Sequence, residues 1–188
     1  MTGGEGNNLI VVGKAEAAEP QMDLFSAAAR TVVRYADPLC WTAATAVARL
    51  LAAAPDDGKQ NRHTTGLITI SPHGPAQTIA AVAEASAVGF SSPLRYPASN
   101  PGALAGIICI THDLRGPTLN FVTPASVALP AAAGLAQSWI SNHALPRVVM
   151  LVSGRVDRSK FPARCLLLAP GRDGETLSPD HLAWLAAA

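Results

Sequence analysis

The stretch Leu114–Leu129, LRGPTLNFVTPASVAL, is laid out like the approach to a nucleophile: a Gly-Pro turn, a short apolar strand, Thr123, then a helix start. A helix start suits that chemistry. The helix dipole lowers the pKa of a thiol there, and free backbone N–H groups can hold an oxyanion. Yet where the nucleophile would stand there is Ala125, which has no lone pair to attack with and can carry no acyl group. Ser126 is the surrogate within reach. With no adjacent base to activate it, Ser126, like Thr123, reads better as an N-cap hydroxyl bonded to a backbone N–H.

The remaining polar residues offer little more. His112 and Asp113 are consecutive, so they do not face each other on a helix and read as a polar helix end. His63, His143 and His181 fall in loops or at helix ends and read as solvated, while His73 sits in a Pro-flanked turn. Asp56 and Asp57 have no second carboxylate group for paired acid–base work and read as a solvated turn. Cys40, Cys109 and Cys165 are widely spaced, without CxxC or clustered His, which argues against zinc and for reduced, buried thiols. No metal and no cofactor is expected.

The elements that must position these residues follow from composition and pattern. The 188 residues suffice for one domain over 1–188, with 1–8 a disordered start. A net charge of +1 and 5% aromatic residues argue against nucleic acid as a partner. No run of 18 apolar residues and no signal-peptide pattern is present, so the expectation is a cytoplasmic chain without a membrane span. With 49% apolar and only 14% charged residues, part of the surface should be covered by something else.

Unbroken apolar runs predict five strands, at 9–15, 64–71, 118–122, 147–154 and 163–169. Helical spacing predicts helices at 22–35, 41–54, 75–89, 103–114, 125–143 and, after Ser178, at 178–188. The segment 55–63 reads as an exposed polar loop and the proline-rich 90–102 as an ordered irregular one. Strands that alternate with helices and lack polar alternation argue for an α/β domain, its mixed, mostly parallel five-stranded sheet covered by helices on both faces.

Four stretches resemble the N-terminal lobe of the β-ketoacyl synthases, which have the thiolase fold: GLITISPHG (66–74), SSPLRYPASNPGALAGIICI (91–110), LRGPTLNF (114–121) and RVVMLVSGRVD (147–157). The family's nucleophile lies in a Thr-Ala-Cys-Ser-Ser-like run after the central strand. Counted from Gly116 without a gap, Ala125 takes the cysteine's place in Thr123-Pro124-Ala125-Ser126-Val127. Val127, Ala128 and Leu129 replace small, glycine-rich family positions, and Pro130 enters the first turns of the helix, which suggests a filled, apolar site. Nothing resembles the second lobe's His-Gly-Thr-Gly-Thr motif, and His73-Gly74 stands in the wrong context.

The resemblance therefore implies a thiolase-like single lobe. Its activity would be that of a non-catalytic, chain-length-factor-like subunit pairing with an active β-ketoacyl synthase in polyketide (including aryl-polyene) or fatty acid biosynthesis. An acyl carrier protein is the second candidate partner. Leu119, Asn120, Phe121 and Val122 would pair across the subunit interface, Leu119 and Phe121 on one sheet face and Asn120 and Val122 on the other, with Arg95 and Tyr96 nearby. Two alternatives stay open: an acyl-thioester hydrolase or transferase using Ser126, and a homodimeric module binding acyl groups or their carrier protein.

Overall fold

The structure, a computed structural model, describes residues 8–54, 58–90, 92–142, 145–157, 160–171 and 175–188. The strands are β1 (Asn8–Ala17), β2 (Thr65–Ile70), β3 (Thr118–Phe121), β4 (Arg147–Ser153), β5 (Ala163–Gly171) and β6 (Glu175–Thr176). The helices are α1 (Ala27–Val32), α2 (Pro38–Ala53), α3 (Lys59–His63), α4 (Ala76–Ala87), α5 (Ala103–His112), α6 (Ala125–Asn142) and α7 (Pro179–Ala186).

One sheet runs in the order β3-β2-β4-β5-β1-β6. The β3–β2 and β2–β4 ladders are parallel, as expected of strands joined by helical crossovers, and the three ladders beyond β4 are antiparallel. All five expected strands are present, and the two-residue β6 is a sixth. Every residue of β2 and β4 is buried, the reason their sequences show no polar alternation.

The two faces carry separate cores. On one, Leu67, Val149, Leu151 and Leu167 pack under α2 and α5. On the other, Ile68, Ile70, Met150 and Leu166 pack under α6 and the last helix, α7. The buried stripe of α6 is Ala128, Ala132 and Ala136 at four-residue spacing, with Leu129 and Ile140 beside it, so small side chains let this helix lie close on the sheet.

Local chemistry sets several boundaries differently from the sequence reading. The helix expected over 22–35 is a 3-10 turn, Met22–Leu24, followed by α1, because the Ser26 hydroxyl accepts from the Ala29 N–H and starts a new helix. The expected loop 55–63 contains α3, with 55–57, and so Asp56 and Asp57, outside the described residues. Residue 8, assigned to the disordered start, already pairs with Gly171 in β1, while 1–7 lie outside the described residues. Strand β3 stops at Phe121, so Val122, expected within it, lies beyond the ladder. Among the described residues, no helix is long and apolar enough to cross a membrane.

Candidate functional site

Helix α6 begins at Ala125, two residues after Thr123, and the Pro124 carbonyl accepts from Val127 N and Ala128 N at 3.0 and 3.1 Å. Ala125 is half-buried against the core under α6. Ser126 is the second residue of the helix and exposed, and its hydroxyl makes no hydrogen bond among the described residues. The N-cap role expected of Ser126 and Thr123 is therefore absent: the helix starts one residue earlier than Ser126, and neither hydroxyl bonds a helix N–H. Among the described residues no imidazole is bonded to Ser126 either, and none polarises its O–H.

The filled, apolar character expected here holds for two residues only. Ala128 and Leu129 are buried against the sheet, whereas Val127 points outward and is 67% exposed. Pro130 lies inside the helix, where it has no N–H to give to the Ser126 carbonyl four residues back.

The strand feeding this helix is the sheet's outer edge. Leu67 N donates to Pro117 O and Ser71 N to Phe121 O, so odd-numbered residues of β3 face β2. The backbone groups of Thr118 and Asn120 consequently point out of the sheet. Of the residues expected to alternate, Phe121 packs with the α6-side core and the Asn120 side chain bonds Thr69 and Pro101, while Val122 lies beyond the strand. Leu119 and Val122 are 41% and 51% exposed. Behind β3, Gly116 lies so close to the Thr65 carbonyl that a Cβ would not fit.

Tyr96, 67% exposed, opens the 3-10 turn Tyr96–Ser99, which leads through Pro101 toward Asn120. The Arg95 guanidinium instead lies 5.9 Å from the ring centre of Tyr35, and Arg34 lies 5.1 Å from the same ring. Tyr35 and Arg34 escaped the sequence reading; the adjacent Arg-Tyr pair in a turn was the available signal. Thr69 also escaped it, as a single hydroxyl inside an apolar strand.

The histidines are more engaged than expected. His63 Nε2 is 2.7 Å from Asp113 Oδ2, and Arg115 Nε donates to Asp113 Oδ1 at 2.9 Å. The hydrogen bonds from His63 and then Arg115 hold the Asp113 carboxyl below its ordinary pKa. His112 is buried, with Nε2 at 2.9 Å from the Ala44 carbonyl. His181, expected in solvent, is buried: its Nδ1 accepts from Ser178 N at 3.2 Å, and Nε2 faces Glu175 at 3.4 Å. His73 is exposed, and His143 lies outside the described residues. Burial raises the pKa of the Cys40 and Cys165 thiols strongly and that of Cys109 to about 11. No group of three His, Cys, Asp or Glu side chains able to hold a metal occurs among the described residues.

No protein-family profile matches the chain, and no curated protein sequence is similar to it. Solved structures are. The ishigamide ketosynthase/chain length factor superposes with a TM-score of 0.63 at 14% identity, over 90% of this chain and 64% of that one, so the present chain spans less than two-thirds of it. A chain from the ketosynthase (ApeO) in complex with its chain length factor (ApeC) from Xenorhabdus doucetiae also gives 0.63 at 14% identity, over 96% of this chain and 92% of that one. Ketosynthase twelve of the bacillaene polyketide synthase from Bacillus amyloliquefaciens gives 0.63 at 8% identity, over 88% and 41%. The chain thus has the thiolase-like fold shared by ketosynthases and ketosynthase–chain length factor assemblies.

Proposed function

We propose that the chain is a non-catalytic, chain-length-factor-like subunit that pairs with an active β-ketoacyl synthase in polyketide, including aryl-polyene, or fatty acid biosynthesis. The observation that carries this reading is Ala125 at the head of α6, on a ketosynthase-like scaffold, directly behind a sheet edge with open backbone groups. The near end-to-end match to one chain of a ketosynthase–chain length factor complex supports a single-lobe partner subunit.

The proposed contact is strand addition. Thr118 and Asn120 offer outward N–H and C=O groups, and Leu119, Val122 and Tyr96 add exposed apolar surface beside them. An edge of this kind invites pairing with another chain. The role would be steric: this subunit closes the end of the partner's acyl pocket and so fixes product length. An acyl carrier protein would meet the assembled pair.

The test is co-expression with an active β-ketoacyl synthase, the first choice being any that is encoded next to this chain. A stable heterodimer that condenses, from a chain that does not condense alone, is the expected result. Condensation by the pure chain, or a chain that forms homodimers and ignores the ketosynthase, would sink the reading.

A further inference from the structure

Tyr35 is the meeting point of three cavities. An apolar groove of about 220 Å³ runs between α1, α5 and the segment 94–98, lined by Val32, Leu94, Ala103, Gly106, Ile107 and Ile110. A second cavity of about 260 Å³ is mixed, with Arg34, Gln77, Thr78 and Arg95 lining it beside Pro38 and Ala81. A third, of about 320 Å³, opens toward Phe90 and Ser92. Tyr35 lines all three.

The two guanidiniums at this junction converge on one aromatic ring, at 5.1 and 5.9 Å. Neither forms an ion pair among the described residues. The nearest carboxylate in sequence, Asp37, is fully buried, and its oxygens are taken by Leu39 N at 3.0 Å and Thr78 N at 2.9 Å. Glu84, on α4, pairs with neither arginine. The ring faces offset part of the repulsion between two like charges, but they do not use up the planar N–H forks that match a carboxylate or a phosphate. The cavity that both arginines line shares Tyr35 and Ala36 with the apolar groove.

From this geometry we propose that the junction binds a single-chain amphiphile with an oxyanion head, an alkyl carboxylate or alkyl phosphate. The head bridges Arg34 and Arg95 over Tyr35, and the chain lies in the groove along α5 between Ala103 and Ile110. Gly106 supports the groove assignment, because a Cβ there meets no atom within 4 Å and the space over the helix is open. The site shares Arg95 with the surface expected to lie near the subunit interface, but its test does not depend on a partner.

Calorimetric titration of the purified chain with decanoate, decyl phosphate, decanol and inorganic phosphate tests this. Decanoate or decyl phosphate should bind at least about tenfold more tightly than decanol, the share expected of charge-assisted hydrogen bonds. Inorganic phosphate should be weaker still, since affinity should rise about fourfold per methylene until the groove is full. The tighter of the two anions identifies the natural head group. Arg34→Gln with Arg95→Gln should weaken the anions about ten- to a hundredfold and leave decanol unchanged. Gly106→Leu fills the groove from a helical position with free space, so it should keep the fold and abolish the dependence on chain length. Decanol binding as tightly as decanoate, or anion affinity unchanged in both folded variants, would overturn the proposal. The readout needs no ketosynthase, so failure of the pairing experiment leaves it interpretable.

Discussion

Thr69 and Asn120 are joined across the β2–β3 ladder: the Thr69 hydroxyl donates to the Asn120 side-chain oxygen at 2.7 Å, and the Asn120 amide donates onward to the Pro101 carbonyl at 3.2 Å. This chain of bonds pins the edge strand from inside, while the Asn120 backbone N–H faces outward. Backbone and side chain can therefore be tested separately. Asn120→Pro removes the outward N–H without touching the ladder to β2, and should abolish co-purification with the ketosynthase. Asn120→Ser keeps that N–H, loses about 1 kcal/mol of stability and should still bind. Circular dichroism checks that both fold, and full binding by a folded proline variant places the interface elsewhere.

Ala125→Cys should create one fast thiol on a silent background. The native thiols are buried or raised in pKa, Cys109 to about 11, so at pH 8 only about one in a thousand of its molecules is thiolate. Mass spectrometry after a short iodoacetamide pulse should find no adduct on the native chain and one on the variant. The variant should still fail to condense acyl and malonyl carrier-protein substrates, because nothing in the sequence resembles the His-Gly-Thr-Gly-Thr motif of the second ketosynthase lobe. Carbon–carbon bond formation by Ala125→Cys alone would contradict this.

Gly116→Ala should be among the costly single substitutions in the turn before β3. Its Cβ would run into the Thr65 carbonyl, backbone that cannot swing aside. Overpacking of that kind costs about 1–3 kcal/mol or more, read as a lowered urea midpoint with unchanged slope. If the midpoint stays put, the Gly-Pro turn is not held against β2 as described.

Asp113 carries a pH signature. Its folded pKa lies below the ordinary 3.8, so its contribution is fully present above that value and is lost as pH falls through the lowered one. Asp113→Asn tolerates the left-handed backbone at φ 55° and removes the charge. The variant should be less stable than the parent at pH 7, and the gap should shrink below about pH 4. A gap that widens on acidification would show that the His63 and Arg115 contacts do not favour the carboxylate.

What the sequence revealed depended on range. Strands β2 and β4 were legible because burial on both faces leaves an unbroken apolar run, and the start of α6 at Ala125 was legible because a strand and Thr123-Pro124 precede an Ala-rich run. His63 was not, because its partner Asp113 lies fifty residues away. His181 had a local signal: it stands three residues after Ser178, where a Glu or Gln usually closes a capping box. Ser26 was a cap hidden inside a helical pattern, and β6 is too short for any periodicity. The meeting of Arg34, Tyr35 and Arg95 is tertiary and has no signature in spacing.

The pairing of β1 with β5 sets a timetable for the chain's birth on the ribosome. Asn8 lies opposite Gly171 and Ala17 opposite Ala163, so an early strand waits for a late one. At usual rates of synthesis, roughly ten to thirty seconds pass between the two. For that interval Leu9 and Ile10, buried in the finished fold, are exposed to whatever is nearby. A nascent chain of this topology is thus a natural client for chaperones, and stalling translation shortly before residue 163 should maximise its capture by them.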